Sequence, residues 1–337
     1  MPSLEHDSEE MQKDYDVVIV GAGPVGLLTA LKLGLAGIDT LLLEKQEDIL
    51  SAARAIAYMP TVNREFAALG IYDEIKAQSY VGYTGPSWRT PDGKALAVIG
   101  PDEMPIPSGD DGFDAVLMLG QDKLARQILK ALKAKCPSVH VKFRCSCLAV
   151  QQDSDDAEIV TVKFSESGPE YSIKARWLVG ADGTNSAVRN LSDIPFEGFT
   201  WENFRFTAAD VRYKFDEEGG YRPGNFIVDP QDWAVIARTG PDDVWRIAYG
   251  ESPDLPDDQE SMIERSKQRI PMFLPGSKDY ELVRLRPYWA QQRCAPSFRK
   301  GRVLLAGDAA HVRTQNHIHY VRVGNKLANP ARSRTTL

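Results

Sequence analysis

The sequence predicts an α/β fold in which helices cover a parallel sheet and a second, antiparallel sheet is inserted into the chain. Apolar runs at residues 17–20 and 303–305 each lead into a glycine-containing turn, as buried parallel strands do. Leu28 and Leu31 follow the first run at helical spacing. Residues 195–250 alternate between polar and apolar side chains, which is typical of half-buried antiparallel strands.

The bulk composition limits the class of protein. The chain has 337 residues, enough for two or three domains or for one large α/β domain with insertions. A hydrophobic fraction of 43% and a charged fraction of 26% support a well-formed core. The net charge of −7 disfavours nucleic acid as a partner.

Cysteine usage and the lack of targeting signals favour a cytoplasmic protein. The four cysteines are too few and too scattered for a disulfide framework, so we expect reduced thiols at Cys136, Cys145, Cys147 and Cys294. The acidic first residues contain no apolar signal core. No stretch approaches the roughly 18 apolar residues of a membrane-spanning helix, so no transmembrane segment is predicted.

The stretch DYDVVIVGAGPVG contains a G-x-G-x-x-G motif between a strand and a helix. Gly21 permits the tight turn, Gly23 lets a pyrophosphate approach the backbone, and Gly26 lets the helix and the strand pack closely. Pro24 suits the first helical turn, where its missing N–H costs no hydrogen bond. Glu44 ends the next strand, where a carboxylate would bind a ribose. The motif predicts a Rossmann-like dinucleotide site and leaves NAD and FAD open.

Two later turns repeat one design, an acid beside a glycine at the carboxyl end of an apolar strand. In open α/β sheets that end of the strand is where ligands bind. A nicotinamide dehydrogenase does not need these extra turns. The residues are Asp182, Gly183 and Arg189 in the second motif, and Gly307 and Asp308 in the third.

With its three motifs in this order, the chain from Asp14 to His311 resembles the single-component (class A) FAD-dependent aromatic hydroxylases. This family includes para-hydroxybenzoate hydroxylase and phenol hydroxylase. The sequence looks most like the 3-(3-hydroxyphenyl)propionate hydroxylase type and the monooxygenases of fungal secondary metabolism. The resemblance implies an FAD-binding sheet of the glutathione-reductase type with an inserted antiparallel substrate domain.

The implied reaction is the hydroxylation of a phenolic or other aromatic small molecule. NADPH, or NADH, would reduce the FAD, and O2 would supply the oxygen atom. The flavin would carry the chemistry, so no catalytic side chain is predicted. A flavin-dependent epoxidase or reductase of the same superfamily remains open.

The resemblance also implies roles for single residues. Gly21, Gly23 and Gly26 would cradle the FAD pyrophosphate, with Pro24 in the same turn, and Glu44 would hold the adenosine ribose. The remaining positions are Arg54 at the pyrophosphate, Gln121 at the flavin, Asp182 and Gly183 for FAD and the passage of NADPH, Arg189 closing that motif, and Asp308, after Gly307, at the ribityl hydroxyls.

Three of these positions have competing interpretations. Gln121 and Asp122 could simply cap a helix whose Leu124, Ile128 and Leu132 pack inward. Arg189 could be an ordinary surface charge. Asp308 is harder to explain as structural, because a carboxylate at a buried strand end needs a partner.

The motifs and the loops between them suggest domain boundaries. We expect an FAD-binding domain at 15–80, 115–194 and 300–311, a substrate domain at 81–114 and 195–299, and a disordered acidic N-terminus at 1–14. Residues 121–135 predict a helix, and a second helix should open at Pro256. The stretches VHVKF, CLAVQQ and IVTVKFSE predict an antiparallel meander on the FAD-binding domain. Aromatic residues that could line a substrate pocket, although each is more readily explained as a core residue, are Tyr83, Trp88, Phe226, Trp233 and Tyr249.

The C-terminal stretch departs from the resembled family. From Val312 onward there are five Lys or Arg and no Asp or Glu, and the Pro- and Gly-rich loop and long helix that the family places here are missing. We therefore expect 312–337 to be an aberrant basic tail, from a frame change or translation past an exon boundary. The alternatives are a genuine basic arm and, for the whole chain, a truncated and catalytically impaired flavin-fold remnant. His317 and His319 lack a third ligand, so no metal is predicted. The sequence leaves the oligomeric state open.

Overall fold

A computed structural model describes residues 14–51, 55–100, 113–152, 158–202 and 205–312. The predictions for 1–13, for Arg54 and for 313–337 lie outside these ranges. The helices within them are α1 (Pro24–Leu35), α2 (Pro60–Ala68), α3 (Tyr72–Lys76), α4 (Gln121–Lys135), α5 (Ala187–Leu191), α6 (Phe215–Gly219) and α7 (Gln259–Arg269), with 3-10 turns at Ile270–Phe273 and Gly307–Ala309.

The strands of the described ranges follow in chain order. They are β1 (Tyr15–Val20), β2 (Thr40–Leu43), β3 (Ala57–Tyr58), β4 (Tyr80–Gly82), β5 (Ser87–Arg89), β6 (Ala95–Val98), β7 (Val116–Met118), β8 (Val139–Lys142), β9 (Cys145–Gln152), β10 (Val160–Glu166), β11 (Glu170–Gly180), β12 (Glu197–Thr200), β13 (Arg205–Arg212), β14 (Gly224–Ile227), β15 (Ala234–Arg238), β16 (Val244–Glu251), β17 (Glu281–Tyr288), β18 (Gln291–Cys294), β19 (Arg299–Lys300), β20 (Val303–Leu305) and β21 (His311–Val312).

Parallel strands in the order β20-β11-β1-β2-β8 form the centre of the largest sheet. The apolar run of β1 is buried on both faces. Ile19 packs towards α1 and α4 with Leu31 and Ile128, and Val18 packs on the opposite face with Phe164. Burial on both faces is what such a continuous run predicts.

Strand β11 connects the parallel strands of this sheet to two antiparallel strands, β10 and β9. Its first half pairs with β10, which pairs with β9, and its second half pairs in parallel with β1 and β20. The prediction that VHVKF joins an antiparallel meander is wrong, because β8 pairs in parallel with β2. CLAVQQ and IVTVKFSE do pair antiparallel as β9 and β10.

A seven-stranded sheet has the order β17-β13-β16-β15-β14-β5-β6. One face forms an apolar core with α7, in which Trp245 and Tyr249 are fully buried. Helix α7 begins at Gln259 rather than at Pro256, because the carboxylate of Asp258 caps it and accepts from the backbone N–H of Ser261 at 2.9 Å. The helix at 121–135 lies where the sequence predicted it.

Two small sheets complete the fold, β3-β7-β4 and β12-β18-β21. Val312, the first residue of the predicted tail, is the last described residue and pairs with Arg293. Among the described helices, none combines the length and the apolar character needed to cross a bilayer.

Candidate active site

The parallel register brings the three motifs to one edge of the largest sheet. Strand ends β2, β1, β11 and β20 lie side by side there. Backbone hydrogen bonds join the turns directly, from Gly21 N to Leu43 O (2.7 Å), from Ala181 N to Val20 O (2.8 Å) and from Ala306 N to Gly180 O (2.9 Å). Segments far apart in sequence therefore form one continuous surface.

Glycine is required at two positions of the first turn. Gly21 has φ +107°, and a Cβ there would lie 2.5 Å from the carbonyl oxygen of Ala181. A Cβ on Gly26 would lie 1.9 Å from the carbonyl oxygen of Gly21. Both contacts involve backbone atoms that cannot move aside. The first motif is thus fitted against the second, as its glycine spacing predicted.

The space beside Gly23 is empty of protein atoms, whereas Gly21 and Gly26 are in close contact with backbone atoms. No atom lies within 4 Å of a Cβ built on Gly23. This residue caps α1 without any side-chain hydrogen bond, and Pro24 follows as the first helical residue. The N–H groups of the first helical turn have no intrahelical partners, and the helix dipole favours an anion there. An open side at a helix N-terminus fits the pyrophosphate of a dinucleotide.

The Glu44 carboxylate lies against the same turn. It accepts from the backbone N–H of Ala22 at 2.7 Å and from that of Gln46 at 2.9 Å. A carboxylate has about four acceptor sites, so these two bonds leave capacity for ribose hydroxyls. The strand end and the loop hold this side chain in place.

Asp182 points into its own turn. Its carboxylate accepts from the hydroxyl of Ser186 and from the backbone N–H groups of Ala187 (2.6 Å) and Val188 (3.2 Å). These bonds cap the N-terminus of α5, where negative charge is favourable. The side chain therefore stabilises the second motif from within, and its predicted role towards FAD and NADPH stays a prediction.

Arg189 ties the second motif to the third. Its guanidinium donates to the carbonyl oxygens of Thr184 (2.8 Å) and Ala309 (3.0 Å) and lies 3.8 Å from the ring centre of Phe196. The residue is only 4% exposed, and this burial lowers the pKa of its guanidinium. The interpretation of Arg189 as a surface charge is wrong.

The remaining predicted residues lie in less enclosed surroundings. Asp308 is exposed and lies in a 3-10 turn after Gly307, whose φ is +60°, and its predicted role at the ribityl hydroxyls stays a prediction. Gly183 also has a positive φ, +81°.

Gln121 is the first residue of α4, but the N-cap is Gly120 and makes no side-chain hydrogen bond, so the capping interpretation of Gln121 is wrong. The inward packing of Leu124, Ile128 and Leu132 is confirmed.

The second face of the seven-stranded sheet carries aromatic residues. Phe206 stacks on Tyr288 with ring centres 4.9 Å apart and meets Trp233 edge to face at 5.3 Å. Further along the sheet, Trp88 lies 5.4 Å from Phe226. Three predicted pocket residues thus belong to this face. Tyr249 lies in the core on the opposite face, and Tyr83 is half-buried.

A charged row on the same face was not anticipated. Asp210 pairs across the strands with both Arg246 and Arg284. Arg246 donates to both carboxylate oxygens of Asp210, at 2.8 and 3.1 Å, and Arg284 lies 3.8 Å from the same carboxylate. Asp122, in the first turn of α4, lies 3.7 Å from Arg284. The signal in the sequence was an acid and a base in otherwise apolar strands, FTAADV and VWRIAY.

Tyr58 is a second residue that sequence reasoning missed. It is 9% exposed, and its hydroxyl has no hydrogen-bond partner in the described part of the chain. Desolvation raises the pKa of this hydroxyl, Asp122 raises it further, and Arg246 partly opposes them. A buried hydroxyl without a partner costs about 1–3 kcal/mol. In the described ranges, no group of three or more His, Cys, Asp or Glu could hold a metal ion.

Comparison with known proteins agrees with this geometry. The profile of the family described as FAD binding domain matches residues 14–315. The chain is 38% identical over 298 residues to para-nitrophenol 4-monooxygenase of Pseudomonas sp. (strain WBC-3), a match covering 88% of this chain and 71% of the relative. It is 33% identical over 300 residues to 3-(3-hydroxy-phenyl)propionate/3-hydroxycinnamic acid hydroxylase of Paraburkholderia xenovorans (strain LB400), covering 88% and 46%.

Solved structures support the same assignment. The crystal structure of p-nitrophenol 4-monooxygenase from Pseudomonas putida DLL-E4 superposes with a TM-score of 0.83 at 32% identity, covering 96% of this chain and 82% of that one. The sequence resemblance and the fold predicted from it are confirmed. The chain belongs to the FAD-dependent aromatic hydroxylases, a family of flavoprotein monooxygenases.

Proposed function

We propose that this chain hydroxylates a phenolic small molecule, with NADPH as the electron donor and O2 as the oxygen source. The observation that carries the proposal is the single edge at which the three motifs meet, with Gly23 open to a ligand. Bound FAD would supply the redox chemistry that connects the nicotinamide to O2. The protein supplies binding, orientation and shelter from water.

The cofactor would lie across this edge. The open first turn of α1 would bind the pyrophosphate through backbone N–H groups, and Glu44 would accept from the adenosine ribose. The residues that would complete the cradle are Gly21, Gly26, Arg54, Gln121, Asp182, Gly183, Arg189, Gly307 and Asp308. Arg189 and Asp182 would act indirectly, since their bonds hold the second and third turns in place.

The substrate would lie against the aromatic face of the seven-stranded sheet. Phe206, Trp233 and Tyr288 offer ring surfaces that favour a flat aromatic ligand. Arg246 and Arg284 place positive charge near them. The names of the two relatives specify a nitrophenol and hydroxyphenyl acids, and a phenol is the chemical class that they share.

The test is flavin binding followed by turnover. The purified protein should be yellow or take up added FAD, and phenols should stimulate its oxidation of NADPH, with NADH as the comparison. Hydroxylated product should form in step with NADPH consumption. Protein that remains colourless in excess FAD, or NADPH oxidation that yields only hydrogen peroxide with every phenol tried, would contradict the proposal.

We also place the reaction in the cytoplasm. All four cysteines are described and free, which suits a reducing compartment. Fractionation of the source cells with an antibody against the chain tests this placement.

A further inference from the structure

The charged row of the seven-stranded sheet contains two acids and two bases, Asp210, Arg246, Arg284 and Asp122. Asp210 lies between the two arginines on neighbouring strands. Arg246 donates to both of its carboxylate oxygens, and Arg284 lies 3.8 Å away. Arg284 also lies 3.7 Å from Asp122, in the first turn of α4. The charges of the two arginines are therefore balanced by two carboxylates within the row.

The row is largely withdrawn from water. The exposed side-chain fraction is 6% for Asp210, 12% for Arg246, 20% for Asp122 and 26% for Arg284. Charges interact more strongly in such surroundings than in water, because the effective dielectric constant is lower. A carboxylate that entered would lose its hydration, and an unpaired cation would have to compensate for the loss. The arginines of the row already have their partners.

Acids and bases of the row act in opposite directions on the nearby hydroxyl of Tyr58. Burial raises the pKa of this hydroxyl, Asp122 raises it further, and Arg246 lowers it. One acid and one base of the row thus reach the same buried atom with opposite effects. This agrees with a row that carries no net charge.

Aromatic side chains lie on the same strands and the same face as the row. Phe206 precedes Asp210 by four residues on β13, and Tyr288 follows Arg284 by four residues on β17. Side chains separated by an even number of residues point to the same face of a strand. A ring held against Phe206 and Tyr288 would therefore direct its substituents along this face towards the row.

Arg286 differs from the two arginines of the row. It lies opposite Ala208, between Arg284 and Tyr288 on β17, but it is exposed. It makes no ion pair in the described part of the chain. Water screens an exposed charge, so its attraction for a carboxylate is small. Arg286 therefore provides a comparison for the balanced arginines.

We propose that the charged row selects against aromatic substrates that carry a carboxylate and favours phenols whose other substituents are neutral. This inference rests on the proposed function and narrows its substrate class. Asp122 and Asp210 determine the specificity, because they neutralise arginines that would otherwise bind an anion strongly. Discrimination between similar ligands is commonly achieved in this way, by leaving the unwanted charge without a partner.

The experiment compares two phenols of nearly the same shape, 4-hydroxybenzoate and 4-hydroxybenzamide. The first carries a carboxylate at neutral pH, and the second carries a neutral amide. Both are titrated into the flavin-loaded protein and binding is measured by isothermal titration calorimetry. We expect the wild-type protein to bind the amide at least about tenfold more tightly than the acid.

Two substitutions should shift this ratio in opposite directions. Asp122→Asn leaves Arg284 with one carboxylate fewer and should strengthen binding of the acid about tenfold. Arg284→Gln leaves Asp122 without its arginine and should weaken binding of the acid further, measured by competition against the amide. Binding of the amide should be unchanged in both variants. A general loss of stability would weaken both ligands and could not produce opposite shifts.

Arg286→Gln is the matched control, an arginine two residues further along the same strand. It should leave the preference for the amide unchanged. If the wild-type protein hydroxylates phenols but binds the acid as tightly as the amide, or if Asp122→Asn leaves the ratio as it is, the inference is wrong while the proposed function stands. If the wild-type protein hydroxylates no phenol, with or without a carboxylate, the proposed function fails and the inference fails with it.

Discussion

The guanidinium of Arg189 donates to the carbonyl oxygen of Ala309, 3.0 Å away and 120 residues later in the chain. With its second bond, to Thr184, this side chain joins two of the three turns that meet at one edge of the largest sheet, where we propose that FAD binds. The aromatic ring of Phe196 supports it from one side. The link is buried, so its loss cannot be compensated by solvent.

We expect Arg189→Met to destabilise the fold by about 3 kcal/mol, because it leaves two carbonyl oxygens without their donor in a buried site. FAD affinity should fall as well, since the third turn loses its anchor. Urea denaturation and FAD titration measure the two effects. Arg176→Met is the control, because Arg176 is 62% exposed and lies 3.9 Å from Asp16. If the two substitutions reduced stability and FAD affinity equally, the buried hydrogen bonds of Arg189 would contribute no more than an exposed ion pair.

Alanine substitution at two glycines of the first motif should affect different properties, folding at Gly26 and FAD affinity at Gly23. Gly26→Ala should prevent stable folding, since its Cβ would overlap the carbonyl oxygen of Gly21. Gly23→Ala should fold with a loss of no more than about 1 kcal/mol, typical of alanine at a helix cap. It should nevertheless reduce FAD affinity at least about tenfold, because the Cβ fills the space reserved for the pyrophosphate. Circular dichroism and FAD titration distinguish the outcomes, and normal FAD binding by Gly23→Ala would place the cofactor elsewhere.

The Asp182 carboxylate should stabilise the folded protein even when no FAD is bound. Asp182→Ala removes the acceptor of the Ser186, Ala187 and Val188 donors and should cost about 2 kcal/mol in FAD-free protein. Asp182→Asn keeps one acceptor oxygen and should cost less. Thermal melts of FAD-free protein give the comparison. A substitution that lowers only FAD affinity and leaves these melts unchanged would assign Asp182 to the cofactor instead.

Tyr288 should make stability depend on alkaline pH. Desolvation of the phenol group raises its pKa to about 12, although the residue as a whole is 41% exposed, and Arg246 opposes the rise. An unfolded tyrosine titrates near about 10. The folded protein therefore holds this proton more tightly, and the resulting stabilisation is complete below about pH 10 and is lost as the pH rises towards 12.

The measurement is the free energy of unfolding in urea at about pH 9 and about pH 11. Tyr288→Phe should reduce the loss of stability between these two pH values. It should not abolish it, because burial also raises the pKa values of Tyr58 and Tyr249. Identical pH slopes for wild type and Tyr288→Phe would contradict the prediction.

Local patterns predicted the fold well because they are determined by neighbouring residues. The apolar run before Gly21 predicted β1 and α1, and the periodicity of 121–135 predicted α4 with its observed bounds. The direction of β8 could not be read in this way, since the run VHVK suits a parallel or an antiparallel strand equally. Pairing direction is decided by tertiary packing.

In the candidate site, too, local features could be predicted from the sequence and features that depend on tertiary packing could not. Glycines with a steric requirement, such as Gly21 and Gly26, are visible as a motif. Arg189 was visible as part of the second motif, but its burial was not, and Tyr58 belongs to no motif, since burial and unpaired polar atoms arise only when distant segments meet. Their side chains resemble those of many surface residues until the fold encloses them.

The sheet edge at which the three motifs meet is completed by a strand that comes late in the chain. Strand β20 follows β11 by more than one hundred residues, yet the Gly180–Ala306 hydrogen bond and the third turn depend on it. Contacts between such distant segments are slow to form because a long loop must close first. A ribosome-bound chain that ends before Val303 would lack one wall of the nucleotide cleft. We therefore expect the nascent protein to acquire its flavin only after synthesis has passed this strand.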